Sequence, residues 1–348
     1  MRQFAVNGVE ISDDSPAYVI AEIGNNHQGD LEICKEMFRQ AKECGANAVK
    51  LQKRDNRVLF TKDAYNAPYL SENAFASSYG EHRDYLEFGE KEYIALRGYA
   101  EELGIDFFAT AFDQNSADFL ESLEMPMYKI ASGDLVNTPL LKHIAQKGKP
   151  IILSSGGGTL DDVKRAVNTI LPINEQLAVL QCTAAYPCRA EDMNLRVITT
   201  YRKEFPDLTV GLSDHQNGIS MALVGFTLGG RIFEKHFTLD RTWKGTDHAF
   251  SLEPPGLRRL VRDLERARLA LGDGVKQSLE FEVAPINKMG KKIVAARDLR
   301  SGTVLTEADL GFKSPADGLK PYELDNVIGM TLTADLLEDD DLSFNVLK

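Results

Sequence analysis

The sequence predicts a closed (β/α)8 barrel, or TIM barrel, followed by a small β-rich domain. Eight short apolar runs recur over roughly the first 250 residues, and most are followed by an amphipathic stretch of helical period. Repeated alternation of strand and helix indicates a parallel sheet, and eight such units indicate a closed barrel. An open doubly wound sheet is the alternative, but no GxGxxG follows the first run.

The eight candidate strands are short and rich in aliphatic and aromatic residues. They span residues 18–24, 47–52, 105–110, 127–132, 149–155, 177–183, 208–214 and 231–236. The stretch LEICKEMFRQAKECG after the first strand has its apolar residues at helical spacing and ends at a glycine. DDVKRAVNTIL and LRRLVRDLERARLALG show the same period, so we predict a barrel domain over residues 1–272.

The alternation of predicted strands and helices stops after residue 272. Residues 273–290 carry mixed polar residues, two glycines and a proline, and we interpret them as a linker. Residues 291–348 alternate short β-like runs with turns and form the predicted second domain. Because about 58 residues are close to the minimum for an independent core, we expect this domain to pack on another surface, that of a second subunit.

Composition limits the classes of partner. The formal net charge is −12, which argues against nucleic acid or an anionic membrane as the main partner but leaves a small anionic substrate open. The four cysteines include no CxxC pair, which favours reduced thiols. The N-terminus has no apolar signal core and no run is long enough to span a bilayer, so we expect a soluble cytoplasmic protein.

Reactive and ligand-type side chains are concentrated where the predicted strands end. They are Glu22, Lys50, Gln52, Thr110, Lys129, Ser132, Ser154, Gln181, Cys182, Thr183, Ser213, Asp214, His215, Glu234 and His236. The N-terminal strand ends are much less polar. Since barrel enzymes take their catalytic groups from the carboxyl ends of the strands, this ring predicts an active site there.

His215 and His236 end the two last strands, which in a barrel are neighbours about 4.8 Å apart. Two imidazoles at that spacing could share one divalent cation, and only two nitrogen ligands suggest Mn²⁺ or Mg²⁺ rather than structural Zn²⁺. The alternative is a pair of unrelated histidines in polar loops. Because side chains alternate along a strand, Ser213 and His215 should share one side, and Asp214 should point away.

Lys50 and Lys129 each lie within an apolar strand. A buried lysine needs an anion or a carboxylate partner. The partner could be a phosphate or carboxylate of a substrate, or the lysine could be a Schiff-base nucleophile. A salt bridge to Glu22, Asp134 or Glu234 is the structural alternative.

Eight segments together resemble the sialic acid synthases over nearly the whole chain, from Tyr18 to the end. They are AEIGNNHQGD, KLQK, YKIASGD, ILSSGG, LQCTAAYP, GLSDH, EKHFTLDRTWKGTDHAFSLEP and the C-terminal domain. The resemblance implies a TIM barrel followed by an antifreeze-like (SAF) domain. It also implies a domain-swapped homodimer in which the small domain of one chain covers the active site of the other.

The resemblance further implies a reaction and a set of residue roles. The family condenses phosphoenolpyruvate with the open-chain aldehyde of an N-acylmannosamine and releases phosphate, which gives a nine-carbon 2-keto acid. By this resemblance His215 and His236 hold the divalent metal, and Glu22 handles water and a proton. Lys50, Thr110, Lys129, Ser132, Ser154 and Ser213 match phosphoenolpyruvate contacts, and Asp134, Tyr186 and Asp247 match acceptor contacts.

Two positions depart from one bacterial branch of that family. Ala184 stands where that branch has an asparagine, and Ser314 stands where it has an arginine that reaches the sugar's N-acyl group. YGEHRDYLEF and TWKGTDH look closer to the animal enzymes, which act on the 6-phosphorylated sugar. The acceptor therefore stays open among N-acetylmannosamine, its 6-phosphate, mannose 6-phosphate (the KDN type) and a bacterial sugar of the legionaminate or pseudaminate type. Lys244 is a candidate 6-phosphate contact or a solvated loop lysine.

Two other classes compete with the synthase. One is an aldolase that forms a Schiff base between Lys129 and pyruvate. The other is a non-catalytic sugar- or ice-binding protein that uses its C-terminal domain. The ring of polar strand ends argues against a binding module, because such a protein has no use for a pair of metal-binding histidines.

Overall fold

The computed structural model describes residues 3–348. The chain divides into two compact units, one ending at Gly272 and the other spanning Asp273–Lys348. Within the described residues, no helix is both long and apolar enough to cross a membrane.

Strands β1 and β2 form an N-terminal antiparallel hairpin, and strands β3 to β10 form the barrel. Their bounds are β1 Gln3–Val6, β2 Val9–Ser12, β3 Tyr18–Gly24, β4 Ala48–Lys53, β5 Asp106–Ala111, β6 Tyr128–Ile130, β7 Ile151–Ser154, β8 Leu177–Cys182, β9 Thr209–Asp214 and β10 Ile232–His236. The barrel strands pair in sequence order, all parallel, and β10 closes the sheet against β3. The predicted (β/α)8 barrel is confirmed.

Among the described residues of the first unit, eleven α-helices accompany the strands, and at least one follows each barrel strand. Their bounds are α1 Leu31–Glu43, α2 Asn56–Leu59, α3 Lys62–Asn66, α4 Tyr79–Leu86, α5 Glu90–Leu103, α6 Gln114–Ser122, α7 Thr138–Ala145, α8 Leu160–Ile170, α9 Val197–Glu204, α10 Ser220–Thr227 and α11 Pro254–Leu271. Helices α2 to α4 are additional, and they occupy a long excursion between β4 and α5.

Local sequence explains why these helices begin and pack where they do. The Asp30 side chain caps α1 by accepting from the backbone N–H groups of Glu32 and Ile33. Thr159 and Asp162 form a capping box at the start of α8. The buried face of α1 consists of Cys34, Met37, Phe38 and Ala41, as its spacing predicts.

The barrel interior has its own apolar core, separate from the layer between sheet and helices. Strand residues such as Ile20, Phe108 and Ile152 fill it, and Phe4 and Ile11 of the hairpin join the same cluster. The hairpin therefore closes the N-terminal end of the barrel, since Tyr18 at the start of β3 belongs to that cluster too. The carboxyl ends of the strands lie at the opposite end, where barrel enzymes carry their catalytic groups.

The second unit is small and mostly irregular. It contains the helices α12 Val283–Met289 and α13 Leu324–Val327 and the antiparallel strands β11 Lys292–Ala295 and β12 Leu310–Lys313. Its apolar core is a single cluster that includes Ile293, Leu305 and Leu332. The segment predicted as a linker contains α12 and lies in this unit.

Candidate active site

A cavity of about 650 Å³ lies at the carboxyl ends of the barrel strands, a size typical of small-molecule sites. All but one of the residues to which the family resemblance assigns a role line it. They are Glu22, Lys50, Thr110, Lys129, Ser132, Ser154, Tyr186, Ser213, His215, His236 and Asp247. Strand geometry accounts for the convergence, because the parallel strands end at one rim of the barrel and point alternate side chains inward.

Two lysines and two glutamates form a fully buried cluster at the base of this cavity. The Lys50 Nζ lies 2.7 Å from Glu22 Oε2 and 3.8 Å from Glu234 Oε2. The Lys129 Nζ lies 3.4 Å from Glu234 Oε1. Both lysines thus have the carboxylate partners that the structural alternative requires, and both also line the cavity where a substrate anion could reach them.

The pKa values of the two carboxyl groups in this cluster are shifted in opposite directions. Burial raises the pKa of Glu22, and the positive charge of Lys50 offsets this only in part. Burial also acts on Glu234, but the charges of Lys129 and Lys50 outweigh it and lower the pKa of Glu234 to about 2. Burial lowers the pKa of Lys129. Divergent pKa values in one site are typical of a division into proton donor and fixed charge.

Hydroxyl groups surround the charged cluster. Thr110 Oγ1 accepts a hydrogen bond of 2.7 Å from Lys50, and Ser213 Oγ donates to Glu234 Oε1 at 3.1 Å. Ser132 Oγ accepts from the Gly156 N–H at 2.9 Å. The buried Ser154 Oγ has no hydrogen-bond partner among the described residues, so it can serve a ligand in the cavity.

The two histidines lie together, with ring centroids 5.3 Å apart. Burial lowers the pKa of His215 to about 4, helped by the neighbouring His236, and burial also lowers the pKa of His236. His215 Nδ1 lies 3.0 Å from the carbonyl oxygen of Thr183, which fixes the tautomer with Nε2 as the lone-pair atom. The buried His236 Nδ1 has no hydrogen-bond partner among the described residues.

These two imidazoles fit the donor set of a weakly held divalent cation. Both are neutral near pH 7, one has its tautomer set by a carbonyl, and the other presents an unused buried nitrogen. Asp247 Oδ2 lies 3.7 Å from His236 Nδ1. Within residues 3–348, no group of three or more His, Cys, Asp or Glu side chains forms a complete metal site. Water or substrate would have to supply the remaining ligands.

The alternation predicted for the end of β9 is present. Ser213 and His215 line the cavity, whereas Asp214 pairs with the buried Lys235 at 2.8 Å. The exposed Tyr186 covers His215 with a centroid separation of 4.2 Å. Together with Asp247, it forms part of the outer wall of the cavity.

Some predicted residues lie elsewhere. Asp134 is buried outside the cavity lining and accepts a hydrogen bond from the Asn137 side chain. Lys244 is exposed, also outside the lining, and its Nζ lies 4.8 Å from the centroid of the Phe75 ring. In the second unit, Ser314 Oγ accepts from Lys291 at 2.6 Å.

Gln52 and Glu234, which belong to the predicted ring of polar strand ends but were given no separate role, also line the cavity. Other lining residues were not predicted. Arg54, Asn73, Arg83, Phe112 and Thr246 come from loops and from α4. The one sequence signal for Asn73 and Arg83 is the length of the excursion between β4 and α5, because long insertions in compact domains are often functional.

The fold and the site together define a TIM-barrel enzyme with a buried acid–lysine cluster and a candidate metal site. Residues 37–276 match the NeuB family, and residues 292–345 match the SAF domain.

Relatives match over nearly their full length. The chain is 42% identical to a human N-acetylneuraminate-9-phosphate synthase, over 95% of this chain and 92% of that protein. It is 37% identical to an N,N'-diacetyllegionaminic acid synthase of Legionella pneumophila, over 95% of each. The crystal structure of an N-acetylneuraminic acid synthetase from Leptospira borgpetersenii, in complex with citrate, superposes with a TM-score of 0.72 at 31% identity. That match covers 82% of this chain and 95% of the other. The chain belongs to the NeuB family, which confirms the resemblance found in the sequence.

Proposed function

We propose that this protein is a nonulosonate synthase that condenses phosphoenolpyruvate with the aldehyde of an N-acylmannosamine-type sugar and releases phosphate. The observation that carries the proposal is the buried cluster of Glu22, Lys50, Lys129 and Glu234 beside two neutral histidines in one cavity. Named relatives that make nine-carbon keto sugars support the same class of reaction.

The lysines and hydroxyl groups account for the anionic substrate. Lys50 and Lys129 are buried beside Ser154, whose hydroxyl is unpartnered, and Ser132 lies at the glycine turn before α8. A phosphoenolpyruvate carboxylate and phosphate would take up these donors. With Glu22 protonated, the two lysines would face only the Glu234 carboxylate, which leaves a net positive charge for the substrate.

His215 and His236 would hold a divalent cation, Mn²⁺ or Mg²⁺. When bound, that cation supplies Lewis-acid polarisation of the acceptor's aldehyde oxygen. The described residues contribute the two imidazoles, and Asp247 and Tyr186 stand beside them to orient the acceptor hydroxyls.

Glu22 is the group best placed to move a proton. Its pKa is raised by burial, so it holds a proton more readily than Glu234, whose pKa is lowered and which stays ionised. As C3 of phosphoenolpyruvate bonds to the aldehyde carbon, the protonated Glu22 gives its proton to the aldehyde oxygen, which becomes a hydroxyl. Water then adds at C2, and the ionised Glu22 takes up one proton of that water. The tetrahedral C2 loses phosphate together with the electron pair of the C2–O bond, the C2 hydroxyl gives its proton to the leaving phosphate, and C2 becomes the ketone.

We further propose that the protein works as a domain-swapped homodimer, in which the second unit of one chain covers the barrel of its partner. The isolated cluster that forms the core of the second unit is small, which favours packing on another surface. The proposal rests otherwise on the family resemblance, and we expect the dimer in the cytoplasm.

The acceptor separates several versions of this function. The relatives' names include products with and without phosphate, and a legionaminate, pseudaminate or KDN-type synthase would use the same cluster. A Schiff-base aldolase at Lys129 is the remaining alternative, because burial lowers the pKa of that lysine.

One assay distinguishes these functions. The protein is incubated with phosphoenolpyruvate and Mn²⁺ against a panel of N-acylmannosamines, mannose and bacterial diamino sugars, with and without 6-phosphate. Phosphate release and product mass are measured. We expect release only when an aldose is present and only with metal. Release without any aldose, or turnover unaffected by chelation, would refute the mechanism.

A second measurement addresses the aldolase. Borohydride reduction in the presence of pyruvate traps a covalent adduct on Lys129 if a Schiff base forms. We expect no adduct, with the Lys129→Met variant as the control that defines the background.

A further inference from the structure

Arg54 and Arg83 line the same cavity as the lysine cluster but come from the excursion beyond β4. Arg54 directly follows that strand and is 8% exposed, and Arg83 lies on α4. Neither contributes to the cluster that would hold phosphoenolpyruvate. Two guanidinium groups at one cavity therefore need a separate explanation.

The guanidinium group of Arg54 is fixed by two contacts, but one of its nitrogen atoms makes no hydrogen bond to the described residues. Its guanidinium lies 3.9 Å from the centroid of the Phe112 ring, and its Nη2 donates to Gln52 Oε1 at 2.5 Å. The buried Nη1 has no hydrogen-bond partner among residues 3–348. A buried, unpaired guanidinium N–H is costly unless a ligand completes it.

Arg83 has a hydroxyl group, not a carboxylate, as its partner among the described residues. Its Nε and Nη2 donate to the Tyr79 hydroxyl at 3.2 and 3.0 Å, and no carboxylate of the described chain lies within 4.0 Å of it. Both guanidinium groups line the same cavity, and burial together with the positive charge of Arg83 lowers the pKa of Arg54 to about 10.

The local charge balance is positive. Glu87 is the single carboxylate at ion-pair distance from Arg54 within the described residues, at 3.7 Å, and it also pairs with Lys53 at 3.1 Å. Lys53 and Arg54 thus share one carboxylate, and Arg83, which lines the same cavity as Arg54, has none at ion-pair distance among the described residues. A phosphate monoester, which carries up to two negative charges and accepts bidentate bonds from arginine, would neutralise the excess.

Gln52 shows where this arginine pair lies relative to the reacting groups. Its amide donates to Glu22 Oε1 at 2.8 Å while its oxygen accepts from Arg54. One amide side chain therefore separates the arginine pair from the proton-handling carboxylate. Asn73, which also lines the cavity, accepts a hydrogen bond from the Gly245 N–H at 2.9 Å and ties the excursion to the loop after β10.

We propose that Arg54 and Arg83 form a second anion subsite that binds a phosphate group carried by the acceptor sugar, at the end remote from its aldehyde. This inference rests on the proposed function and deepens it, since it assigns the acceptor to the phosphorylated class. Lys244, the candidate from sequence, is not required, because its ammonium group lies over Phe75 outside the cavity lining.

The test measures binding first, so that it does not depend on turnover. Titration calorimetry with the full chain and Mn²⁺ compares N-acetylmannosamine 6-phosphate, N-acetylmannosamine and inorganic phosphate. We expect the sugar phosphate to bind at least about tenfold more tightly than the free sugar. Arg83→Met should abolish that preference. Arg54→Met should also abolish it if that variant folds. If it does not fold, Arg83→Met still tests the proposal, because Arg83 is only partly buried.

Arg57→Met is the matched control. Arg57 is an exposed arginine three residues from Arg54, its guanidinium lies over the Tyr65 ring, and it does not line the cavity. This variant should keep the full preference. The proposal is overturned if no preference exists, or if it survives in Arg83→Met. It is equally overturned if inorganic phosphate binds as tightly as the sugar phosphate.

Phosphoenolpyruvate provides the last arm of the test. Its KM and its affinity should be unchanged in Arg83→Met, and a parallel loss would show that the pair serves phosphoenolpyruvate instead. Phosphate release from phosphoenolpyruvate is then measured separately. If no acceptor supports release while the binding preference follows the arginines, the synthase proposal fails and the subsite stands. If phosphate is released with unphosphorylated sugars alone and the sugar phosphate binds no more tightly than the free sugar, the synthase proposal stands and the subsite proposal fails.

Discussion

Glu22 and Glu234 show how position on neighbouring strands separates two identical functional groups. Both are buried and both contact Lys50, but Glu234 also lies beside Lys129 and the two histidines. The additional positive charge keeps Glu234 ionised, whereas burial dominates at Glu22 and raises its pKa. Two side chains of the same type thus provide a fixed negative charge at Glu234 and an exchangeable proton at Glu22.

The buried cluster predicts a measurable coupling between Lys50 and Glu22. Lys50→Met leaves buried carboxylates without their cation and should lower the free energy of unfolding by roughly 3–5 kcal/mol. Adding Glu22→Gln should restore a large part of that loss, because the uncompensated charge is removed. Urea denaturation of the single and double variants measures both effects.

Lys203→Met is the control for this cycle, since Lys203 is exposed on α9 and should change stability by no more than about 0.5 kcal/mol. Strictly additive losses in the double variant would show that the two side chains do not act as a buried pair.

His27 predicts a pH dependence outside the reacting groups. Burial lowers its pKa to about 3, and its ring stacks on Phe88 with centroids 4.0 Å apart. Its Nδ1 accepts from the Gly29 N–H, which requires the neutral ring. Between the unfolded pKa near 6.5 and the folded value, the unfolded chain binds a proton that the native chain does not. Stability should therefore fall as the pH falls, by up to about 1.4 kcal/mol per pH unit.

The His27→Gln variant should show a shallower loss of stability between pH 6 and pH 4.5 than the wild type. Urea denaturation across that range and at pH 8 provides the comparison. At pH 8 the His27 ring is neutral in both the folded and the unfolded chain. Any difference in stability between wild type and variant at that pH therefore reports packing alone. A constant offset at every pH would mean that His27 is not the titrating group.

At the scale of elements, strand ends were predictable and the excursion was not. Glu22, Lys50, Ser213 and His236 occupy positions that strand alternation and parallel pairing determine, so a correct barrel assignment places them. Arg83 depends on how α4 docks. That docking uses contacts distant in sequence, such as those of Asp84 with Asn56 and Tyr65, and no local pattern encodes them.

Close packing between β9 and β10 gives the prediction at this scale. A Cβ on Gly211 would lie 2.0 Å from the Ile232 carbonyl oxygen and 2.7 Å from the Leu180 side chain. Gly211→Ala must therefore separate paired strands, and we expect a loss of about 3 kcal/mol or more in the free energy of unfolding. Thermal and urea unfolding check this.

Gly98→Ala is its counterpart within helix α5. A Cβ there meets no atom within 4 Å, so the better helix former should stabilise the protein by about 0.5–1 kcal/mol. If Gly211→Ala and Gly98→Ala changed the free energy of unfolding equally, the strand contact and the helix propensity would not explain the two effects.

For the whole molecule, sequence analysis predicted a barrel domain followed by a small second domain. The chain divides after Gly272, the NeuB match ends at residue 276, and the SAF match lies within the second unit. What sequence analysis could not derive from residues alone is the acceptor. The cavity wall that we propose to face the acceptor comes from loops and from α4, whose positions depend on tertiary contacts. Asp134 illustrates the limit, because the residue follows a predicted strand yet lies outside the cavity lining.

The proposed domain swap predicts complementation between two inactive chains. One chain carries Glu22→Gln in an otherwise complete protein, and the other is the barrel unit alone, ending at Gly272. Because the barrel has its own cores, we expect the short chain to fold, which circular dichroism checks. In a swapped heterodimer, the intact second unit of the first chain covers the functional barrel of the second. Mixing should therefore restore phosphate release that neither chain shows alone, and size-exclusion chromatography with light scattering should find the mixed dimer. A mixed dimer without activity, or activity of the short chain by itself, would show that the second unit does not complete its partner's site.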